Sequence, residues 1–247
     1  MGVCTSLCGG LGAELEVGTL AVIASVGLGD TRSGSSQVQA PRVLDNGAVY
    51  EGCWEGAVRS GDGSQVWPNG AKYFGQWANG MAHGNGRFEH IDGDVYEGNW
   101  SEDKANGYGW YRHKDGSSYE GQWTNDKQDG DGTETYADGS KYIGRYKDAR
   151  KTGLGTFAWA DGSSYEGNFE NNDISGRGVY IWADGRQFEG TWASNRMHGS
   201  GVFTWKDGRM YSGDYVEDQK DGVGVFSWPD GRCYDGQWSC LRVSCSS

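Results

Sequence analysis

The chain has 247 residues and a net charge of −12, with 44 glycines, 12 tryptophans and only three prolines. This acidic balance, without clusters of Lys and Arg, excludes the phosphate contacts by which nucleic-acid-binding proteins hold their ligand. The six cysteines are scattered and include no paired Cys-x-x-Cys motif, so we expect neither a disulfide framework nor a zinc site. A reducing, cytoplasmic compartment is the simplest interpretation.

The first residues, MGVCTS, fit the N-myristoylation pattern M-G-x-x-x-[ST], with Gly2 as the acceptor. Cys4 and Cys8 follow closely and are candidates for palmitoylation. A single myristoyl chain binds membranes only reversibly, with an affinity of about 10⁴ M⁻¹, so stable anchoring needs a second signal. No basic cluster supplies that signal, which leaves the two cysteines. We therefore expect attachment to the cytoplasmic face of a membrane; the alternative is a chance match in a tail.

An apolar stretch, TLAVIASVGLG, covers residues 19–29. It is too short to cross a bilayer as a helix, which takes about 20 residues, and the acidic residues Glu14 and Glu16 before it disfavour a secretory signal. Two interpretations remain: a cap over the open edge of the following array, or a shallow interfacial segment that reinforces the anchor. Residues 33–39 are mostly polar and indicate a linker. We therefore divide the chain into a non-repeat segment, residues 1–45, and an array, residues 46–247.

An aromatic anchor recurs every 23 residues through the rest of the chain. The anchors are Tyr50, Tyr73, Tyr96, Tyr119, Tyr142, Tyr165, Phe188, Tyr211 and Tyr234. Each is followed by a glycine two residues on and a second aromatic residue four residues on. Eight full repeats then carry a Gly-x-Gly motif and close on Asp-Gly or Asn-Gly, and the ninth is truncated. A fixed period of this length is typical of stacked supersecondary units.

The repeated pattern YEGxW…GxGxxxxxDG resembles the MORN (membrane occupation and recognition nexus) repeat family, over about residues 46–247. Members of that family include membrane-junction tethers, cytoskeletal and ciliary scaffolds, and accessory modules beside lipid-kinase or methyltransferase domains. The resemblance implies a scaffold that is tethered to a membrane and binds a protein partner through the array. The alternatives are a structural subunit of a cytoskeletal or axonemal, radial-spoke-like assembly, and a regulatory partner of a lipid kinase or methyltransferase. The expected location is cytoplasmic and membrane-associated, with the cytoskeleton or cilium as the alternative.

Each repeat has the two-residue alternation of a β-hairpin. In one repeat, Tyr165, Gly167 and Phe169 fall on the same face of a first strand. Residues 170–175 are predicted to form a six-residue loop, and Asp184-Gly185 the turn into the next repeat. The glycines leave room for the aromatic rings. The predicted fold is all-β: an elongated single-layer array of consecutive antiparallel β-hairpins after a non-repeat N-terminal segment.

Aromatic residues on the second strands of the later repeats are candidates for a partner-binding groove. The candidate groove residues are Trp159, Tyr180, Trp182, Phe203, Trp205 and Trp228. Such a groove would receive a helix or an extended peptide, unless neighbouring rings bury one another. A row of acidic residues follows the anchors and consists of Glu51, Glu97, Glu120, Glu166, Glu189 and Asp235. This row favours a basic partner and disfavours anionic lipid headgroups.

The later repeats also carry aliphatic residues on the opposite face of their second strands. They are Val179, Ile181, Val202, Val223 and Val225. An apolar strip of this kind usually marks a covered surface. The cover is expected to be a second copy of the chain, giving a homodimer through the C-terminal repeats, with the C-terminal tail or a partner helix as alternatives.

No motif for catalysis, a cofactor or a metal is found. His90 and His113 lie where other repeats have Trp or Tyr, which indicates packing roles rather than bases. The Gly-x-Gly motifs lack the third glycine of a dinucleotide-binding loop. Residues 129–132, Asp-Gly-Asp-Gly, lack the first ligand and the bidentate Glu of a calcium loop. We therefore expect neither enzymatic activity nor a cofactor.

Overall fold

A computed structural model describes residues 37–239, which contain eighteen strands and no helix. The strands are β1 (Gln37–Val43), β2 (Val49–Glu55), β3 (Val58–Val66), β4 (Lys72–Ala78), β5 (Met81–Glu89), β6 (Val95–Ser101), β7 (Lys104–Arg112), β8 (Ser118–Thr124), β9 (Lys127–Thr135), β10 (Lys141–Lys147), β11 (Arg150–Ala158), β12 (Ser164–Glu170), β13 (Asp173–Ile181), β14 (Gln187–Ala193), β15 (Arg196–Thr204), β16 (Met210–Val216), β17 (Gln219–Ser227) and β18 (Cys233–Trp238). Antiparallel pairing between consecutive strands confirms the predicted all-β array of hairpins.

The described residues fall into two compact units. The first consists of residues 37–115 with Trp123–Lys127, and the second of Gly116–Gln122 with residues 128–239. Within the first unit consecutive strands pair antiparallel, from β1 with β2 to β6 with β7. Within the second unit the same holds from β9 to β18. The pairing places glycine opposite glycine on successive strands, as in Gly167 with Gly178 and Gly178 with Gly190, so a row of glycines crosses each unit.

Each anchor ring lies flat on the glycines of its own hairpin. The side chain of Tyr165 is fully buried, and a Cβ added to Gly178 would lie 2.5 Å from its Cζ atom. The Tyr165 hydroxyl donates a 3.0 Å hydrogen bond to the carbonyl oxygen of Asn168, and burial raises its pKa to about 12. The equivalent hydroxyl bond recurs at Tyr50, Tyr73, Tyr96, Tyr119, Tyr142 and Tyr211. A ring can occupy this position only because neither glycine has a side chain.

The second aromatic residue of each repeat joins neighbouring hairpins. The ring of Tyr73 packs edge-to-face between Trp77, at a centroid distance of 5.0 Å, and Trp100 of the following repeat, at 5.3 Å. The indole Nε1 of Trp100 also donates a 3.0 Å hydrogen bond to the carbonyl oxygen of Gly86 in the preceding repeat. Edge-to-face pairs are the favourable arrangement for aromatic rings. The core of each unit is therefore a ladder of alternating rings rather than a central cluster.

The expected six-residue loop over residues 170–175 is wrong. The strands continue to a two-residue turn, Asn171-Asn172, whose φ angles are 50° and 78°. Two consecutive left-handed residues match the twist of a β-hairpin, and Asn tolerates this conformation better than most residues. The surplus residues of β13 form a bulge at Gly176, with φ of 78°. The two glycines of the Gly-x-Gly motif thus have different roles, because Gly176 permits the bulge and Gly178 accepts the ring.

The hairpin turns are bonded to one another. Asn172 accepts a 2.9 Å hydrogen bond from the backbone N–H of Lys151 through its Oδ1 and donates its own N–H to the Lys151 carbonyl at 3.1 Å. The same pair of bonds joins Asp103 to Ala82, Asp126 to Ala105, Asn195 to Ile174 and Asp218 to Met197. Because the side chain mimics a backbone acceptor, each turn extends the ladder of the preceding hairpin.

The first described strand lies outside the repeats. Strand β1 begins at Gln37, inside the stretch expected to be a linker, and pairs with β2. The guanidinium of Arg42 lies 4.7 Å from the ring centroid of Trp54. Strand β1 therefore covers the edge of the first hairpin. Residues 19–29, which we considered for this role, lie outside the described residues.

Two glycine substitutions should destabilise the fold for different reasons. We expect Gly178→Ala to cost about 1–3 kcal/mol because the new methyl group overlaps the Tyr165 ring. Gly139→Ala meets no atom within 4 Å but has φ of 89°, and should cost about 1 kcal/mol through backbone strain. The urea midpoint of each variant measures the difference. Asn should be tolerated at 139 and not at 178; equal tolerance at both positions would contradict the ring-on-glycine explanation.

Candidate binding surfaces

In each unit the two faces of the sheet carry different residues. The front face carries the anchor rings, such as Tyr165. The back face carries the residues between them, and the strand register places Glu166 opposite Val179, Val179 opposite Glu189 and Glu189 opposite Val202. The acidic row and the aliphatic residues considered for self-association are therefore interleaved on one surface. The candidate aromatic groove is on the other.

A groove of about 950 Å³ crosses the back face of the second unit. Its floor is the glycine row, including Gly167 and Gly190, because glycine leaves the backbone uncovered. Its walls combine exposed carboxylates with aliphatic side chains. These wall residues are Leu154, Glu166, Val179, Glu189, Val202 and Asp214, together with the guanidinium of Arg177. Among the described residues, neither Glu166 nor Glu189 forms an ion pair. The groove thus offers unpaired negative charge beside apolar surface.

The aliphatic strip is open to solvent but not continuous. Ile181 is 42% exposed and Val223 is 57% exposed, whereas Val179, Val202 and Val225 are half-buried. Carboxylates stand between them, as where Val225 pairs with Asp235. Burying such a strip against an identical strip would also bury like charges. Self-association through this face remains a prediction.

The candidate groove residues form a continuous row of rings on the front face of the second unit. Along this row the ring centroids lie 5.1 Å apart for Trp159 and Tyr180, 4.6 Å for Tyr180 and Trp182, and 5.2 Å for Trp182 and Phe203. Phe203, Trp205 and Trp228 continue the row through Phe226. Phe203 is buried, while the tryptophans and Tyr180 are half-buried. Neighbouring rings therefore fill most of the row, and only part of each indole faces solvent.

Arginines cover the outer edge of this row. The guanidinium of Arg186 lies 5.4 Å from the ring centroid of Trp182 and is held by Oδ2 of Asp184 at 2.7 Å. Hydrogen bonds from the Arg186 backbone and side chain lower the pKa of Asp184. The same arrangement recurs with Arg209 over Trp205 and Arg232 over Trp228. The sequence signal was the repeated Asp-Gly-Arg turn. Because these cations border the aromatic row, a basic partner suits the back face better.

One repeat replaces a core ring with a carboxylate. Glu134 lies where the other repeats have residues such as Phe88 and Phe157, and its Oε2 accepts hydrogen bonds from Lys151 Nζ at 2.7 Å, from Tyr146 Oη at 2.8 Å and from Tyr136 Oη. Burial by itself raises the pKa of Glu134, but the bonds from Lys151 and the two tyrosines outweigh it, and the pKa lies below its ordinary value. This cluster could not be predicted from the sequence, because its members are separated along the chain.

His90 and His113 have packing roles in the first unit. The His90 ring lies 4.6 Å from the ring of Phe88, and burial lowers its pKa. His113 Nδ1 lies 2.9 Å from Oδ2 of Asp94, which also accepts a 2.9 Å bond from Tyr111 Oη. No group of three or more His, Cys, Asp or Glu residues suited to a metal ion occurs within residues 37–239.

The residues considered for lipidation, Gly2, Cys4 and Cys8, lie outside the described residues. Within the described part of the chain, no helix has the length and apolarity needed to span a bilayer.

Comparison with known families and structures gives one strong match. The family model of the MORN repeat matches residues 50–72, 73–95, 96–118, 119–141, 142–164, 165–185, 188–208 and 211–231. A comparison with curated protein sequences finds no relative of this chain.

Several solved structures show a distant likeness to the chain. The TCP domain of SAS-4 (dCPAP) of Drosophila melanogaster, in complex with a proline-rich motif, has a TM-score of 0.36 and 14% identity over 81% of this chain and 90% of that chain. The G-box domain of the microcephaly protein CPAP has a TM-score of 0.41 and 12% identity over 81% and 99%. A virginiamycin B lyase from Staphylococcus aureus has a TM-score of 0.16 and 12% identity over 81% and 70%. Likenesses this weak carry no argument about function.

The Glu134 cluster should respond strongly to loss of its cation. The side chains of Lys151 and Glu134 are 12% and 25% exposed, and Lys151→Met leaves a largely buried carboxylate without its counter-ion. We expect a loss of about 2–3 kcal/mol in the free energy of unfolding, below the range for a fully buried pair because Glu134 keeps some solvent contact. The exposed pair Arg145–Asp131 is the control, and Arg145→Met should change stability little.

The pH dependence of stability should change in the same variant. In the wild type the lowered pKa of Glu134 contributes stability above its ordinary value of about 4.5, and this is lost as pH falls through the lower folded value. In Lys151→Met burial should raise the pKa, so the deficit relative to wild type should shrink as pH falls from 7 towards 4.5. Adding Glu134→Gln should remove this trend. A deficit that is independent of pH would show that lost packing, not charge, explains the effect.

Proposed function

Because the chain belongs to the MORN repeat family, whose role is protein interaction and scaffolding, we propose that it is a non-catalytic scaffold that binds a basic, extended segment of a protein partner in its back-face groove. The observation that carries the proposal is the alternation of exposed carboxylates and aliphatic side chains above the glycine floor of the second unit. MORN repeats are generally non-catalytic, and the polar clusters at Glu134 and Asp94 are engaged in hydrogen bonds from their neighbours.

The spacing of the carboxylates defines the partner segment. Glu166 and Glu189 lie on β12 and β14, two strands apart, which corresponds to about 10 Å at the usual strand spacing. Three residues of a chain in the extended polyproline II conformation span about the same distance, and every third side chain of that conformation points the same way. A segment with Lys or Arg at every third position therefore places a cation beside each carboxylate, while the residues between them contact Val179 and Val202. The net charge of −12 would also accelerate the approach of such a segment.

We further propose that N-terminal acylation holds this scaffold at the cytoplasmic face of a membrane. The support is the myristoylation pattern at Gly2 with Cys4 and Cys8 beside it. The exposed acidic residues of the array would be repelled by anionic headgroups, so membrane contact is assigned to the acyl chains. A membrane-bound scaffold with an outward-facing groove would concentrate a soluble partner at the membrane.

Charge reversal in the groove should weaken partner binding. A photo-crosslinking residue at Val179 should capture the partner, and the crosslinked peptide should be rich in Lys or Arg. The variant Glu166→Lys/Glu189→Lys should weaken binding of the purified partner at least about tenfold, with most of the change at low salt. Glu170→Lys/Glu217→Lys, at hairpin ends, is the control with the same change in charge and should bind normally. Crosslinks formed only from the front-face tryptophans would contradict the groove assignment.

The membrane proposal predicts a specific fractionation pattern. Intact mass of the native N-terminal peptide should show Gly2 carrying a myristoyl group, and Gly2→Ala should move the protein from the membrane to the soluble fraction. Cys4→Ser/Cys8→Ser should give partial release, because one acyl chain binds reversibly. An unmodified N-terminus with the protein in a detergent-resistant skeleton would exclude the anchor and favour the cytoskeletal alternative.

A further inference from the structure

One lysine of the second unit is enclosed by aromatic rings. The Nζ atom of Lys220 lies 4.8 Å from the centroid of Trp205, 4.6 Å from that of Tyr211, 4.9 Å from that of Phe226 and 4.8 Å from that of Trp238. Among the described residues it has no carboxylate partner, and burial lowers its pKa. Four rings at this distance stabilise an ammonium group through their negative faces. We call this arrangement the occupied cage.

The same four rings recur in the first unit around an alanine. Lys220 stands nine residues after its anchor, and in the second repeat this position is Ala82. The corresponding rings are Trp67, Tyr73, Phe88 and Trp100. The ring centroids lie 5.5 Å apart for Trp67 and Phe88, 6.2 Å apart for Phe88 and Trp100, and 5.3 Å apart for Tyr73 and Trp100. In the occupied cage the equivalent distances are 5.3 Å for Trp205 and Phe226, 6.3 Å for Phe226 and Trp238, and 5.1 Å for Tyr211 and Trp238. The rings have therefore not collapsed into the space of the missing side chain, and we call this arrangement the Ala82 cage.

A cavity of about 530 Å³ contacts all four rings of the Ala82 cage. Asp103 lines it and accepts a 2.6 Å hydrogen bond from the backbone N–H of Ala82, and its charge adds to burial in raising the pKa of Tyr73. Arg59 lines the cavity as well, but its guanidinium is bonded to Gln65 and to the carbonyl of Gly80. The carboxylate of Asp103 is thus placed next to the rings that a cation would contact.

The other repeats show that this position normally fills the space between the rings. The equivalent residues are Arg59, Ala105, Gln128, Lys151, Ile174 and Met197. Only Ala82 and Ala105 are small, and the site around Ala105 has His90 where the Ala82 cage has Trp67. The Ala82 cage therefore combines the ring set of the occupied cage with a small side chain at the position of Lys220.

We propose that the Ala82 cage binds the ammonium group of a lysine side chain supplied by another protein chain. Lys220 shows within the same molecule how such a group fits these rings. Residues 1–36 and 240–247, which flank the described part of the chain, contain no lysine. The proposal concerns the front face of the first unit and does not depend on the back-face groove of the second.

The test uses small molecules, so it needs no knowledge of the partner. Nα-acetyl-lysine amide is titrated into the full-length protein, and the indole N–H signals are followed by NMR after assignment with single Trp→Phe variants. Trp67 and Trp100 should shift with a saturable dependence on concentration. Nα-acetyl-norleucine amide, which has a similar chain without the charge, should bind about tenfold more weakly because the cation–π attraction is lost. Equal binding of the norleucine compound would overturn the proposal.

Two variants separate this site from non-specific binding. Ala82→Lys should recreate the occupied cage and abolish the shifts of Trp67 and Trp100. Lys220→Ala should empty the occupied cage and add a second responsive pair, Trp205 and Trp238. If Lys220→Ala creates a responsive site while Trp67 and Trp100 do not respond in any protein, the Ala82 cage is not a lysine site. Tighter binding of the trimethyl-lysine or arginine analogue than of lysine would likewise overturn the assignment to an unmodified lysine.

Discussion

The structure depends on one contact, in which an anchor ring lies flat on two facing glycines. The ring of Tyr165 occupies the space that side chains at Gly167 and Gly178 would fill, and its hydroxyl is satisfied by the Asn168 carbonyl. This contact gives a single layer of sheet a dry core without a second layer to cover it. The ladder of edge-to-face rings then passes from hairpin to hairpin, because each ring also contacts the second aromatic residue of the next repeat.

Once the ring and the glycines are fixed, other positions are free to vary. The ninth residue after the anchor is Arg59, Ala82, Lys151 or Lys220 in different repeats, and Glu134 takes the place of a ring in one of them. These substitutions make the front-face sites of different repeats chemically different, as an ion-pair cluster, the occupied cage and the Ala82 cage. The back face varies independently, because its side chains do not enter the ring ladder. A uniform frame thus supports sites of different specificity.

The sequence was sufficient to predict the period, the hairpins and the packing of rings on glycine, because these depend on residues that recur in register. It was insufficient for the turn at Asn171-Asn172, since a polar stretch does not show which residues adopt positive φ. The Glu134–Lys151 pair and the Ala82 cage were also missed. Both depend on contacts between repeats, such as Glu134 with Lys151 in one and Trp67 with Phe88 in the other. The two faces were predicted to bind partners, but only the register showed that acidic and aliphatic residues share one of them.

The pairing of each strand with only its neighbours in the chain also affects how the protein folds during synthesis. Every hairpin finds its partners within the adjacent repeats, so the average sequence separation of contacts does not grow as repeats are added. Folding rates of β-proteins fall mainly with that separation. The array can therefore assemble progressively during synthesis, with each new hairpin using the previous one as a template.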